Sequence, residues 1–358
     1  STRLCGSADL FATEPGRGAP ASINFVSCHD GFTLTDLTRY RSKHNEANGE
    51  NNNDGSSVNH SANFGVEGVT DDPDVIAARE QAAMNMIGML LLSLGTPMML
   101  AGDEFRNTQD GNNNAYCQDN DITWLKWDWM YSTNKTREMR RLETVSRLVA
   151  LRKSLDLYHH EDFFTRLTQI GLLKPSSRVQ WFLPDGTTPM ERDWFDLGVR
   201  SFTMRLLSNS EVDVCIVVNG TADDRTFRLP PDTHWTPKWC SAEINGRRAG
   251  HGTQVEECDL NGDTTVWTQH VPDASETVLK MVEEVAMQRT ESSTENEADT
   301  IKFAMPVTDH AANGTSSAPR DEVSADMPDA PVDDTPDTPV DDNVWTMPAL
   351  SITLMKQV

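Results

Sequence analysis

Apolar positions follow two different patterns along this chain. Up to about residue 155 they gather in runs that stop abruptly at charged or amide side chains; beyond it they alternate in short segments. Ile23, Phe25 and Val26, among small neighbours, predict a short buried strand that breaks at His29-Asp30-Gly31, residues a strand interior rejects. A short helix is expected from Thr33 to Tyr40, then a long loop from His44 to Gly68 dense in Asn, Gly, Ser and His. A loop of that length without periodicity is either functional or disordered. Its amides suit a polyhydroxylated ligand and suit plain solvent equally. Asp71-Asp72-Pro73 is a helix-start signal, and a long helix is expected over Val75 to Leu94. Gly95-Thr96-Pro97 closes it, and Met98 to Ala101 predicts a second apolar strand that ends at Gly102-Asp103-Glu104-Phe105. Strand, helix and strand in that order form a crossover unit with parallel strands. A second polar loop, Arg106 to Asp121, leads to Trp124, Trp127 and Trp129. Thr136 to Leu155 then reads as a helix with an apolar stripe at Met139, Leu142, Val145 and Val149.

The second pattern predicts an antiparallel β-sandwich. Strands are expected at Val179 to Leu183, Ser201 to Leu207, Val212 to Val218, Thr226 to Leu229 and Thr264 to Val271. Residues 283–343 are rich in Glu, Asp, Ser, Thr and Pro, and the motif at 329–334 nearly repeats at 337–342. That composition is expected to form a disordered acidic linker. Leu350, Ile352 and Leu354 then restore alternation, so 344–358 is expected to return as the last sandwich strand. The expected domains are therefore 1–156 (α/β), 157–282 (sandwich), 283–343 (linker) and 344–358 (final strand).

Charge and cysteine usage narrow the function classes. The net charge of −24 disfavours nucleic acid and anionic membrane as partners. The linker alone carries 16 Asp/Glu against 3 Lys/Arg, more than half of that excess. Six scattered cysteines without a Cys-x-x-Cys pair suit a reduced, cytoplasmic protein. The longest apolar run, Met84 to Ala101, is interrupted by Asn85, Gly95 and Pro97, which predicts a buried helix and strand in a soluble protein rather than a membrane span.

Candidate chemistry sits where the two early strands end. Asp30 and the Asp103/Glu104 pair would face each other across parallel neighbours ~5 Å apart, about the carboxyl separation of a retaining glycosidase. The competing reading makes Asp30 a helix cap and His29 a satisfied core residue. It also has Asp103 and Glu104 binding backbone amides or Arg79 and Arg106, and for that pair this structural role is the favoured one. His29, His44 and His60 lie near Asp30 in sequence, but a His-Asp pair after a strand lacks the helical register of metal ligands, so no metal and no cofactor is expected. The tryptophans at the helix entry are expected to be mainly structural.

Four motifs taken in order carry a family resemblance: Ile23 to Gly31, His44 to Asn51, Gly95 to Phe105 and Gly111 to Gln118. Together they resemble bacterial glycogen debranching enzymes, the isoamylase-type branch of the α-amylase superfamily of glycoside hydrolases. The resemblance is strong over about 1–155, weaker over 156–282 and absent in the linker. It implies a fold class of α/β plus all-β: the carboxyl-terminal part of a (β/α)8 TIM barrel, about strands 7 and 8 with their helices, followed by an antiparallel β-sandwich. It implies hydrolysis of α-1,6 branch linkages of glycogen or limit dextrin with retention of configuration. By the same match, Asp30 is the carboxylate that stabilises the transition state, while His29, Asn45, Glu46, Asn48, Asn113 and Tyr116 contact substrate. The family's nucleophilic Asp and acid/base Glu have no counterpart in this sequence, and the chain starts at Ser1 without Met. A fragment inactive by itself is therefore expected, with a non-catalytic glucan-binding or scaffold protein as the alternative. Two barrel strands without neighbours would expose an apolar face, so self-association through the open barrel edge is expected as well.

Overall fold

Local signals set the boundaries of the early elements. In the computed structural model, which describes residues 2–12, 17–159, 178–208, 212–231, 234–251, 256–257, 343–348 and 351–357, the long helix is α3, Pro73–Leu92. Pro73 occupies its first turn, and Asp72 Oδ1 accepts the N–H groups of Asp74 and Val75 at 3.0 and 3.3 Å, which satisfies two otherwise orphaned donors. Two short helices precede it, α1 (Ala8–Phe11) and α2 (Leu34–Leu37), the latter capped by Thr33. Helix α4, Arg137–Ser154, is capped by Thr136, whose Oγ1 accepts from Met139 N at 3.2 Å. Arg152 of α4 caps α3 in turn: its guanidinium donates to the Leu91 carbonyl in the last turn, an acceptor the helix end leaves open, and to the carbonyls of Ser93 and Gly95 just beyond it at 2.8 Å each.

Strands β1 (Ile23–Asn24) and β2 (Thr96–Pro97) pair in parallel across this helix, Ile23 opposite Thr96. Two expectations are corrected here. The second strand pairs at Thr96–Pro97, with Met98 N–H reaching Asn24 O at 2.8 Å, whereas Met98 to Ala101 lies beyond the ladder. The strands are also not buried: Ile23 is 61% and Phe25 55% exposed. Among the described residues no further strand joins this two-residue ladder, and side chains patterned for a core meet solvent.

The remaining strands build three sheets. They are β3 (Val179–Phe182), β4 (Ser201–Leu206), β5 (Val214–Asn219), β6 (Arg225–Arg228) and β7 (Trp235–Cys240). After these come β8 (Arg247–Arg248), β9 (Gly250–His251), β10 (Glu256–Glu257), β11 (Val344–Met347) and β12 (Ser351–Gln357). An antiparallel five-stranded sheet has the order β3-β4-β5-β12-β7; a three-stranded sheet is ordered β6-β11-β9, and β8 pairs with β10. The carboxyl-terminal strand β12 thus lies inside the large sheet, hydrogen-bonded to β5 on one side and β7 on the other. The expected strand at 264–271 and nearly all of the expected linker lie outside the described residues.

Period-two alternation divides the core. From β5, Val214 and Ile216 face α3 and α4 together with Ile352 and Leu354 of β12. Cys215, Val217 and Met355 face the three-stranded sheet, meeting Phe227, Trp345 and Met347. Strand β7, which Pro237 obscures in the sequence, is an edge strand, where a residue without an N–H is tolerated. Its register against β12 shifts between Leu354 and Met355, so Trp235 turns to one face and Trp239 to the other. The Trp239 indole meets α3 at Gly88, where an added Cβ would lie 2.8 Å from its Cη2. Alanine in mid-helix gains up to about 1 kcal/mol over glycine, while overpacking costs about 1–3 kcal/mol. Both partners are buried. Gly88→Ala is expected to lower the midpoint of thermal unfolding by several degrees; an unchanged or higher midpoint would show that the indole yields freely. Helix α3 is long and apolar enough to cross a membrane, but half of that stretch is buried within the protein.

Candidate active site

The turn after β1 presents His29 and Asp30 to solvent, their side chains 87% and 78% exposed and His29 Nε2 3.5 Å from Asp30 Oδ2. Neither of the bland roles applies, because His29 is not in the core and the cap of α2 is Thr33. The turn itself is held firmly. Gly31, at φ +87°, adopts the left-handed conformation that lets the chain reverse, and its N–H donates to Asn113 O at 3.0 Å. Thr33 Oγ1 donates to Asn107 O at 3.1 Å.

Those anchors belong to a cluster of amides in which the two polar loops meet. Asn45 is fully buried: its Nδ2 donates to Asp54 O and Asn113 Oδ1, both at 2.9 Å, and its Oδ1 accepts from Asn113 N at 3.0 Å. Asn113 Nδ2 donates to Ser56 O at 2.8 Å and Asn59 Oδ1 at 2.6 Å. Asn48 donates to Asp54 Oδ2 (2.6 Å) and Asn114 O (2.9 Å), and accepts from Asn112 Nδ2 and Gln118 Nε2, each at 2.8 Å. The resemblance places Asn45, Asn48 and Asn113 against substrate; in the structure their amides are engaged with the protein and form the frame of the loops. Glu46 and Tyr116 are exposed on those loops, Tyr116 by 74%.

The long loop from His44 to Gly68 is ordered by side-chain-to-backbone bonds. Lys43 Nζ donates to three successive carbonyls, Asn53, Asp54 and Gly55, at 2.7–3.1 Å. Glu67 accepts from the N–H groups of Arg41 and Ser42 and from Asn63 and His44. Partial burial works against the Glu67 carboxylate, yet these donors outweigh it and hold its pKa down to about 2. Arg79, expected beside Asp103 or Glu104, instead donates to the carbonyls of Asn63, Val66 and Gly68.

Asp103 and Glu104 do bind backbone amides. Asp103 Oδ1 accepts from Leu34 N at 2.9 Å, and its Oδ2 accepts a short hydrogen bond from the Ser27 hydroxyl. Glu104 Oε2 accepts from Gly102 N at 2.8 Å. Burial pushes the Asp103 carboxyl up to about 6, partly countered by those two donors and Arg141. Burial likewise raises Glu104. Arg106 pairs elsewhere, with Glu80 at 2.8 Å and Glu138 at 3.0 Å. The Trp127 and Trp129 rings pack on Phe105, with centroids 4.8 and 5.4 Å away, whereas Trp124 is exposed. Nothing local in the sequence points to Ser27, Asn112 or Gln118 as parts of this site, since each acts on a residue about 64 to 76 positions away.

The chain is similar in sequence to bacterial proteins named glycogen debranching enzyme and glycogen operon protein GlgX homolog. It is 37% identical over 260 residues to the glycogen debranching enzyme of Pectobacterium atrosepticum, covering 72% of this chain and 36% of that protein. It is 44% identical over 205 residues to the glycogen operon protein GlgX homolog of Mycobacterium tuberculosis, covering 56% of this chain and 28% of that protein. The chain thus spans about a third of the length of the curated relatives it matches. A solved pullulanase from Anoxybacillus sp., complexed with maltotetraose, aligns with a TM-score of 0.42 at 17% identity over 72% of this chain and 28% of its own. No protein-family model matches.

Proposed function

We propose that this chain is the carboxyl-terminal part of a cytoplasmic debranching glycoside hydrolase that cleaves α-1,6 branch linkages of glycogen or limit dextrin with retention. The parallel β1–β2 pair and its helices correspond in this reading to the end of a (β/α)8 barrel, and the antiparallel sheets to the sandwich behind it. Asp30 stabilises the charge that develops on the distorted sugar, and His29 beside it hydrogen-bonds that sugar's hydroxyls. Bonds that strengthen as charge develops lower the barrier rather than merely tightening binding. Glu46 and Tyr116 line the approach, and the Asn45–Asn48–Asn113 cluster holds the loops that carry them.

One observation carries this reading: the His29–Asp30 pair stands exposed on an anchored turn, within one of the four motifs that resemble debranching enzymes. The acidic groups at the other strand end are occupied, Asp103 by Ser27 and Leu34 and Glu104 by Gly102. They are therefore not the nucleophile and acid that a retaining reaction needs.

The test is reducing-sugar release from a branched glucan, with limit-dextrin binding measured alongside. The chain alone is expected to bind the dextrin without turnover, and Asp30→Ala to weaken binding about tenfold. Turnover by the chain that disappears in Asp30→Ala would overturn the reading, because the chain would then supply its own nucleophile and acid. Binding without turnover even after addition of the amino-terminal part of a relative would favour a glucan-binding scaffold.

A further inference from the structure

We propose that Asp103 is a positioning residue for the His29–Asp30 turn, gripping both of its ends through Ser27 and Leu34. The inference rests on Asp30 being the working carboxylate, as argued above, and it assigns the second strand end a task that its own exposure excludes. Asp103 is 1% exposed and cannot reach a sugar. Its two carboxylate oxygens instead point to opposite ends of one eight-residue stretch. Oδ2 takes the hydroxyl of Ser27, two residues before His29, and Oδ1 takes the N–H of Leu34, four residues after Asp30, at 2.9 Å. Between these points the turn has a third tie, from Gly31 N–H to Asn113 O.

The chemistry explains why a carboxylate stands there. Both partners are donors, so the site needs two acceptors on one rigid group, which an ionised carboxylate supplies and a carboxamide does not. An asparagine could keep Leu34 on its oxygen, but would then present an N–H₂ to the Ser27 hydroxyl, which must give up donating. Asp103 is itself held from behind: its N–H donates to Leu100 O at 3.1 Å, and its carbonyl accepts from Arg141 Nη1 at 3.4 Å. The charged groups that act on it are Arg141 of α4 and its neighbour Glu104. A turn fixed at both ends and in the middle keeps two exposed side chains in one geometry, and small misplacements of such groups cost large factors in rate.

The experiment compares Ser27→Ala, Asp103→Asn and, as a control, Glu104→Gln, which removes a neighbouring carboxylate that has no bond to the turn. Amide hydrogen exchange over residues 28–33 is expected to rise about tenfold in the first two variants, with α4 and the five-stranded sheet unchanged, and to stay at the native rate in the control. Ser27→Ala deletes one hydroxyl and leaves the buried carboxylate in place, so it answers the question even if Asp103→Asn fails to fold. Calorimetric binding of β-limit dextrin should weaken about tenfold in Ser27→Ala. Unchanged exchange at 28–33, or faster exchange with native dextrin affinity, would overturn the proposal. If the native chain shows no dextrin binding, the reading of Asp30 fails, and the exchange measurement decides the clamp alone.

Discussion

Replacing Arg141 by methionine is expected to destabilise the protein by about 3 kcal/mol, at the lower end of the cost of breaking a buried ion pair. Arg141 is 1% exposed, although its guanidinium carries five donors. Nη2 and Nε donate to Glu80 Oε2 at 2.8 and 3.1 Å, and Nη1 reaches Thr35 Oγ1 at 3.2 Å as well as the Asp103 carbonyl. One side chain from α4 therefore ties α3, α2 and the segment that follows β2 together. Burial opposes the charge on Glu80, but Arg141 and Arg106 outweigh it and keep its pKa low. Methionine leaves that carboxylate in the interior with Arg106, at 2.8 Å, still paired to it and Arg39 nearby, which is why the cost sits at the low end. Urea unfolding of the single variant and of Arg141→Met/Glu80→Met checks this. The double variant should recover part of the loss, because a buried pair replaced by apolar groups of similar volume is often close to neutral. A loss below 1 kcal/mol in the single variant would show that the pair contributes only packing.

Self-association at micromolar concentration is the second large effect expected, and Phe25→Asp should weaken it at least tenfold. Ile23, Phe25, Leu10 and Met98 are 61%, 55%, 54% and 40% exposed. A groove lined by Leu10, Phe11, Ile23, Phe25, Val26 and Met89 runs beside β1. Contiguous apolar surface of this kind is uncommon on a monomer, and burying it against a second copy gains about 25 cal/mol per Å² before the costs of association. Among the described residues no other strand pairs with β1 or β2, and an open strand edge invites another strand. A charge at Phe25 would have to be desolvated in any such contact. Sedimentation velocity across a concentration series measures the effect. A monodisperse native monomer, or a Phe25→Asp variant that associates as strongly as the native chain, would show that this face is not the contact.

Much of the framework was legible residue by residue. Asp72-Pro73 and Thr136 mark helix starts that the structure caps with those same side chains. The order strand, helix, strand implied a parallel pair, and β1 and β2 are parallel. The alternation of Ile352 and Leu354 is that of a strand, and both residues face the helices from β12. Strand β7 was not legible, because Pro237 imitates a break and only the sheet order shows that it sits on an edge. The four motifs pointed to debranching enzymes, and curated relatives carry that name.

Periodicity, helix caps and the resemblance to debranching enzymes were therefore legible from neighbouring residues alone. Which polar groups meet was set by the folded chain. It turned Asn45 and Asn113, 68 positions apart, toward each other, and joined Ser27 to Asp103 across 76. It also left Ile23 and Phe25 in solvent despite their core-like pattern. The physical reason is that a side chain's character is local, whereas its partner is chosen by long-range packing. An amide, a carboxylate or an apolar ring carries the same signature whether it faces a ligand, the protein or open water.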